Sequence, residues 1–444
     1  MKTERDLTEG SVLESVIAFS LPYLLSYFLQ TLYGMADLFI IGQFETAIST
    51  TAVSIGSQIM HMITLMIVGL AMGSTVSIGQ AIGRKDKSAE AKYIGNTITL
   101  FLTLSIAITA IFLLFRNILI RAVSTPAEAI EETKNYLTIC FIGIPMITIY
   151  NITSSIYRGM GDSKRPMLFI ALSCAINIAL DYLFIGAFKL GAAGAALGTT
   201  LSQSVSAIVS SIALMRQKRD TKLNKSDFKL SKNEVMRILR IGIPVSLQDG
   251  FIQISFITIT IIANRRGLID AAAVGIVEKI MGFMFLVPSA MNGAVAALAS
   301  QSIGAGKNDR AIKILIYALL IAIVLGAVIV CAVMFTAEPL VALFTNDPIV
   351  SKAGGEYLKG YIGDSFFGGI QFSFSGFFCA IGHSEISFLH NALSILIVRI
   401  PGALLASHYY PSTLFPMGLA STFGSLFSSL ICIVAFILLK KKLK

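Results

Sequence analysis

Charge is what this sequence has least of. Only 14% of its 444 residues are Asp, Glu, Lys or Arg, against about a quarter in soluble chains. That shortage excludes an ordinary soluble enzyme and leaves no room for a sizeable water-exposed domain. Disorder is excluded as well, because a chain that is 55% apolar, with mean hydropathy +0.78, cannot stay solvated. Histidine and cysteine are sparse. His61, His383, His390 and His408 form no HxxxH, and the five cysteines (Cys140, Cys174, Cys331, Cys379, Cys432) are odd in number and contain no CxxC. Neither a disulfide framework nor a zinc site is therefore expected. A nucleotide loop is missing too: in Ile303-Gly-Ala-Gly-Lys307, Gln301 stands where the first Gly must be and Asn308 replaces Ser/Thr. Residues 1–13 carry Glu4, Asp6 and Glu9 with no clear cleavage site, unlike a signal peptide, so the first apolar run is expected to remain as a helix.

What the sequence does have is long apolar runs. A bilayer-spanning helix needs roughly 20 apolar residues, and twelve such helices would use nearly all the apolar positions here. Gly, Pro and charged breaks place twelve spans at about 15–42, 51–82, 93–116, 133–157, 166–187, 192–215, 238–264, 271–303, 312–336, 352–380, 386–407 and 415–439. With the N-terminus inside, cytoplasmic segments hold 25 of the 35 Lys and Arg and the opposite side holds 8, while Lys279 and Arg399 lie within spans. Both termini are expected in the cytoplasm. The net charge of +10 is then a positive-inside signature, and no nucleic-acid partner is expected.

The basic stretch 216–240 divides the spans six and six. A repeat runs across it at an offset close to 221: Leu21-Pro22 recurs as Ile243-Pro244, Gln80-Ala-Ile-Gly83 as Gln301-Ser-Ile-Gly304, Tyr136-Leu137 as Tyr357-Leu358, and Gly161 as Gly382. Six is even, so the halves are parallel repeats, as in rocking transporters. The expected fold is an all-α membrane protein with twelve transmembrane helices in two pseudo-symmetric six-helix bundles. The lobes are 1–215 and 238–444, joined by a basic linker, 216–237.

Ionisable groups inside spans are functional candidates by default. Asp37 and Asp181 fall at similar depth in the outer half of the N-terminal lobe, with Asn177 one turn from Asp181 and Thr199 at the same level. Away from the span ends, where Arg116 and Lys134 sit, those six spans hold no basic residue. Two such carboxylates can hold protons near neutral pH and release them when a cation or water enters. Oxygen ligands also suit a hard cation such as Na+. The bland alternative is that these acids hydrogen-bond across helices. The C-terminal lobe mixes signs, with Asp249, Glu278, Lys279, Asp364 and Arg399, where a structural ion-pair network is the simpler expectation.

The chain resembles the multidrug and toxic compound extrusion (MATE) transporters over essentially its whole length. The resemblance rests on Leu21-Pro22…Gly34-x-x-Asp37-x-x-Ile40-x-Gly42, Arg158-Gly-x-Gly-Asp-Ser-Lys164-x-Pro166, Asn177-x3-Asp181 and Gln301-x-x-Gly-Ala-Gly306. It implies two six-helix bundles exporting cationic or amphipathic compounds against H+ or Na+, with no enzymatic activity and no cofactor. The helix 1 and helix 5 acids look like those of the DinF-like and archaeal branch. By that likeness Asp37, Asn177, Asp181 and Thr199 form the ion-coupling site, Gln30, Tyr136 and Asn151 line the substrate pocket, and Pro22 bends helix 1. A C-lobe sodium site of the NorM type is not expected, because Gly368 stands near its helix 10 acid. The expectation is a monomeric antiporter in the cell membrane. The alternatives are a lipid-linked oligosaccharide flippase, disfavoured by the acidic N-lobe, and a channel or scaffold, disfavoured by the repeat.

Overall fold

The structure, a computed structural model, describes residues 7–123, 125–217, 221 and 223–443. Lys218, Arg219 and Lys222 of the expected linker lie outside the described residues, as do Lys2, Glu4, Arg5 and Asp6. Among the described residues every regular element is helical: α1 Val12–Phe44, α2 Ala47–Gly83, α3 Lys87–Ala122, α4 Ile130–Gly159, α5 Lys164–Asp181, α6 Gly191–Arg216, α7 Lys232–Arg266, α8 Leu268–Met284, α9 Leu286–Gly304, α10 Asn308–Ala342, α11 Pro348–Tyr361, α12 Gly363–Ala380, α13 Ser384–Leu393, α14 Ile400–Tyr409 and α15 Phe415–Leu443. Among the described residues, eleven stretches are long and apolar enough to cross a bilayer. This is a multi-pass membrane protein.

Four expected spans are interrupted. The span 271–303 breaks between α8 and α9, because Pro288 lacks the N–H that would bond the Met284 carbonyl. The span 352–380, the one not among the eleven, divides into α11 and α12 around Ile362. There the Thr422 hydroxyl donates to the carbonyls of Gly360 (2.7 Å) and Tyr361 (3.3 Å). The other two interruptions are π-helical turns, Tyr182–Ala187 directly after α5 and Ser394–Arg399 between α13 and α14. In both, a bond reaches back five residues, from Phe188 N–H to Leu183 and from Ile400 N–H to Ile395.

The repeat is visible in the backbone. Lys85 N–H bonds the Ile82 carbonyl (2.8 Å) and Asp86 N–H that of Ala81 (3.0 Å). In the second half Gly306 bonds Ile303 (3.0 Å) and Lys307 bonds Ser302 (2.9 Å). The residue at the turn is left-handed both times, Lys85 at φ 57° and Gly306 at φ 72°. The same agreement holds for Gly161 (φ 86°) and Gly382 (φ 82°).

Compact packing divides the chain near two prolines that occupy the same place in each repeat. One unit is Leu25–Gly242; the other joins Leu7–Leu24 to Ile243–Lys444. The boundaries fall inside α1 and α7, close to Pro22 and Pro244, not at the polar stretch 216–237. In the first unit, α7 enters with its backbone against α2. A Cβ on Gly73 would strike the Ile238 carbonyl, and one on Gly242 the Leu70 carbonyl. Ile238 joins Ile78, Ile94, Phe101 and Tyr157 in that unit's core. In the second unit Tyr23 of α1 packs on Gly293 of α9, and Arg310 donates to the carbonyls of Leu7, Glu9 and Gly10 at 2.8–3.1 Å.

Candidate functional site

Within the first unit, helices α1, α5 and α6 bring the four expected coupling residues together. Thr199 donates its hydroxyl to Asp37 Oδ2 at 3.1 Å, and Asp37 also faces Asp181 and Asn177. All three of the last-named side chains are buried. Among the described residues, Asp37 Oδ1, both Asp181 oxygens and both Asn177 amide atoms are buried without a hydrogen-bond partner. Asp181 fits because α6 has no side chain opposite it; a Cβ on Gly198 would overlap Asp181 Oδ1. The π-turn begins at the next residue, Tyr182, as such turns often do beside functional groups. The cluster contains two carboxylates, one amide and one hydroxyl, and no base.

Two more side chains border it that the sequence pattern does not single out. Tyr33 faces Asp37 and Gln203. Tyr33 lies one turn before Asp37 on α1, and Gln203 one turn after Thr199 on α6. That i, i+4 spacing was the available signal. Of the expected pocket residues, Tyr136 is buried against Gly56 and faces Asp37, Tyr33 and Cys140. Asn151 is buried one turn of α4 beyond Ile147, to whose carbonyl its amide donates (2.8 Å). Gln30 is half-buried on α1.

The second unit joins three of its five expected charges. Arg399 pairs with Asp364, which also accepts the Ser425 hydroxyl. Glu278 lies within electrostatic reach of both. Tyr357 and Tyr361 of α11 border the same three groups. Lys279 points away and is exposed. Asp249 faces Cys379 instead. The two units therefore differ chemically: the first gathers acids alone, and the second neutralises an acid with arginine.

The repeat seen in sequence and backbone is matched by the comparisons. Residues 22–183 and 244–405 each match the MatE family. This chain belongs to the MatE family. A relative in Bacillus subtilis (strain 168), the probable multidrug resistance protein YpnP, is 32% identical over 306 residues, covering 69% of this chain and 68% of that one. The multidrug export protein MepA of Staphylococcus aureus (strain NCTC 8325 / PS 47) is 25% identical over 402 residues, covering 89% and 88%. Among solved structures, the outward-facing conformation of a multidrug resistance MATE family transporter of the MOP superfamily superposes with a TM-score of 0.92. It is 24% identical and covers 99% of this chain and 98% of that one. As a MatE protein, the chain is a transporter and not an enzyme, with the two-lobed helical fold of its structural relatives.

Proposed function

We propose that this MatE protein is an antiporter that exports cationic, amphipathic compounds against an inward flow of H+ or Na+. The multidrug exporters among its relatives support the cargo class. The observation that carries the coupling is the pairing of Asp37 with Asp181 in a buried cluster without a base. A proton can be shared between the two carboxylates, with the Thr199 hydroxyl and the Asn177 amide orienting them. Na+ could use the same oxygens. The coupling ion drives export by binding one state of the transporter more tightly than the other. Gln30, Tyr136 and Asn151 face the cargo in this reading, and Pro22 permits α1 to change its course. The antiporter acts as a monomer in the cell membrane with both termini in the cytoplasm, as the distribution of Lys and Arg supports.

The test is transport of a fluorescent organic cation into inverted vesicles, energised separately by ΔpH and by ΔNa+. Uptake into the vesicles under one gradient, lost in Asp37→Asn, is the expected result. Equal accumulation without any gradient would sink the reading.

A further inference from the structure

In the unit formed by Leu7–Leu24 and Ile243–Lys444, two carboxylates share one cation. A guanidinium does not deprotonate in a protein, so Arg399 needs a carboxylate beside it whenever water is excluded. It is paired with Asp364. Yet among the described residues its Nε–H is buried without an acceptor, and Glu278 Oε1 is buried without a donor. The two sit in the same cluster. The hydroxyls of Tyr357 and Tyr361, both fully buried beside the cluster, are likewise without a hydrogen-bond partner. Buried polar atoms are usually satisfied, and these four orphans lie in one cluster around a single arginine. An orphan donor and an orphan acceptor within one cluster are what a second arrangement of the same side chains would join.

We propose that Arg399 is a two-partner switch, exchanging Asp364 for Glu278 as the transporter changes state. It acts as a positioning residue in the transport cycle proposed above, and rests on that reading. Among the described residues, the titratable and aromatic groups facing Arg399 are Asp364 from α12, Glu278 from α8, Tyr357 and Tyr361 from α11, and the Phe256 ring of α7, 5.5 Å from its Cζ. Ser425 of α15 holds the other oxygen of Asp364.

The backbone offers the means. Arg399 is the last residue of the π-turn Ser394–Arg399. A π-turn holds one residue more than an α-turn, and rewinding it as α-helix rotates the succeeding helix by about 100°. A small change in winding would thus carry a large side chain between two acceptors, giving two discrete packings without an intermediate.

A melting-temperature cycle on the purified full-length protein in detergent tests the exchange. It compares wild type, Asp364→Asn, Glu278→Gln and the double variant. If Arg399 falls back on Glu278, Asp364→Asn alone lowers the midpoint by no more than about 3 °C. The double variant, which strands the arginine, loses about 10 °C. Additive losses, or an Asp364→Asn protein that cannot fold while Glu278 is intact, would overturn the proposal.

Efflux supplies the second readout. Glu278→Gln, with Arg399 held on Asp364, should fold and bind the fluorescent cation but export it at least about tenfold more slowly. Wild-type efflux from Glu278→Gln would also overturn the switch. A wild-type chain silent under either gradient would instead refute the transport reading, while the melting cycle still reports on Arg399.

Discussion

Thr199 reaches across 162 residues of sequence to donate its hydroxyl to Asp37 Oδ2 at 3.1 Å. That single bond ties α6 to α1 at the level where Asp181 and Asn177 enter from α5. It also separates two properties of Asp37 that can be tested apart: its charge and its orientation. Asp37→Asn keeps the shape and removes the charge, so coupled export should vanish at wild-type expression. Thr199→Val keeps the charge and removes the donor. A hydrogen bond to a charged group contributes about 1.5–3 kcal/mol, so export should fall by roughly tenfold or more without disappearing. Initial efflux rates at matched protein levels decide both. Wild-type drug resistance in Asp37→Asn would move coupling elsewhere.

The charges of the second unit should divide into those that matter and those that do not. Lys279 is exposed and Asp249 lies apart from the Arg399 cluster. Lys279→Ala should leave stability within about 0.5 kcal/mol and leave efflux unchanged. Asp249→Asn should reduce efflux less than Asp37→Asn does. Equal losses in a stably folded Asp249→Asn protein would show that part of the coupling resides in the second unit.

Much of the first-unit site was legible because its physics is local. Asn177-x3-Asp181 is one helical turn, and depth along a span follows from counting residues. Reading acids without bases needed nothing more. Tyr33 and Gln203 were missed because a tyrosine and a glutamine in apolar runs carry no charge to draw attention. Other features depend on contacts that spacing cannot report. The break at Ile362 depends on Thr422, sixty residues away. The packing boundary inside α1 depends on Tyr23 fitting against Gly293. The separation of Asp249 from Glu278 depends on which faces α7 and α8 present to α12.

The repeat makes a prediction about backbone strain. Lys85 occupies a left-handed turn at φ 57° where the second half has Gly306 at φ 72°, with the same hydrogen bonds around both. Left-handed backbone costs a residue with a Cβ about 1–2 kcal/mol, and glycine avoids that cost. Lys85→Gly should therefore leave the melting temperature unchanged or raise it, whereas Gly306→Lys should lower it. A Cβ on Gly306 meets nothing within 4 Å, so a loss there reports conformation and not collision. Differential scanning fluorimetry of the two variants would measure this. Equal tolerance of lysine at both positions would mean the turns are not equivalent.

Room for Asp181 is a matter of one missing methyl group. Gly198 sits on α6 immediately before Thr199, and a Cβ there would overlap Asp181 Oδ1. Gly198→Ala must push the carboxylate away from its place or separate α5 from α6, and either change breaks its juxtaposition with Asp37. Against this, alanine favours the helical backbone over glycine by about 0.5–1 kcal/mol, so the fold has a compensating gain. The variant should be produced at normal levels yet export more slowly than wild type, as Asp181→Asn should. Gly34→Ala is the matched control: it lies on α1 one turn before Leu38, and a Cβ there meets nothing within 4 Å. Efflux from Gly34→Ala should equal wild type, and its melting temperature should not fall. If Gly198→Ala also transported normally, Asp181 could move without loss, and its position opposite Asp37 would not matter for coupling.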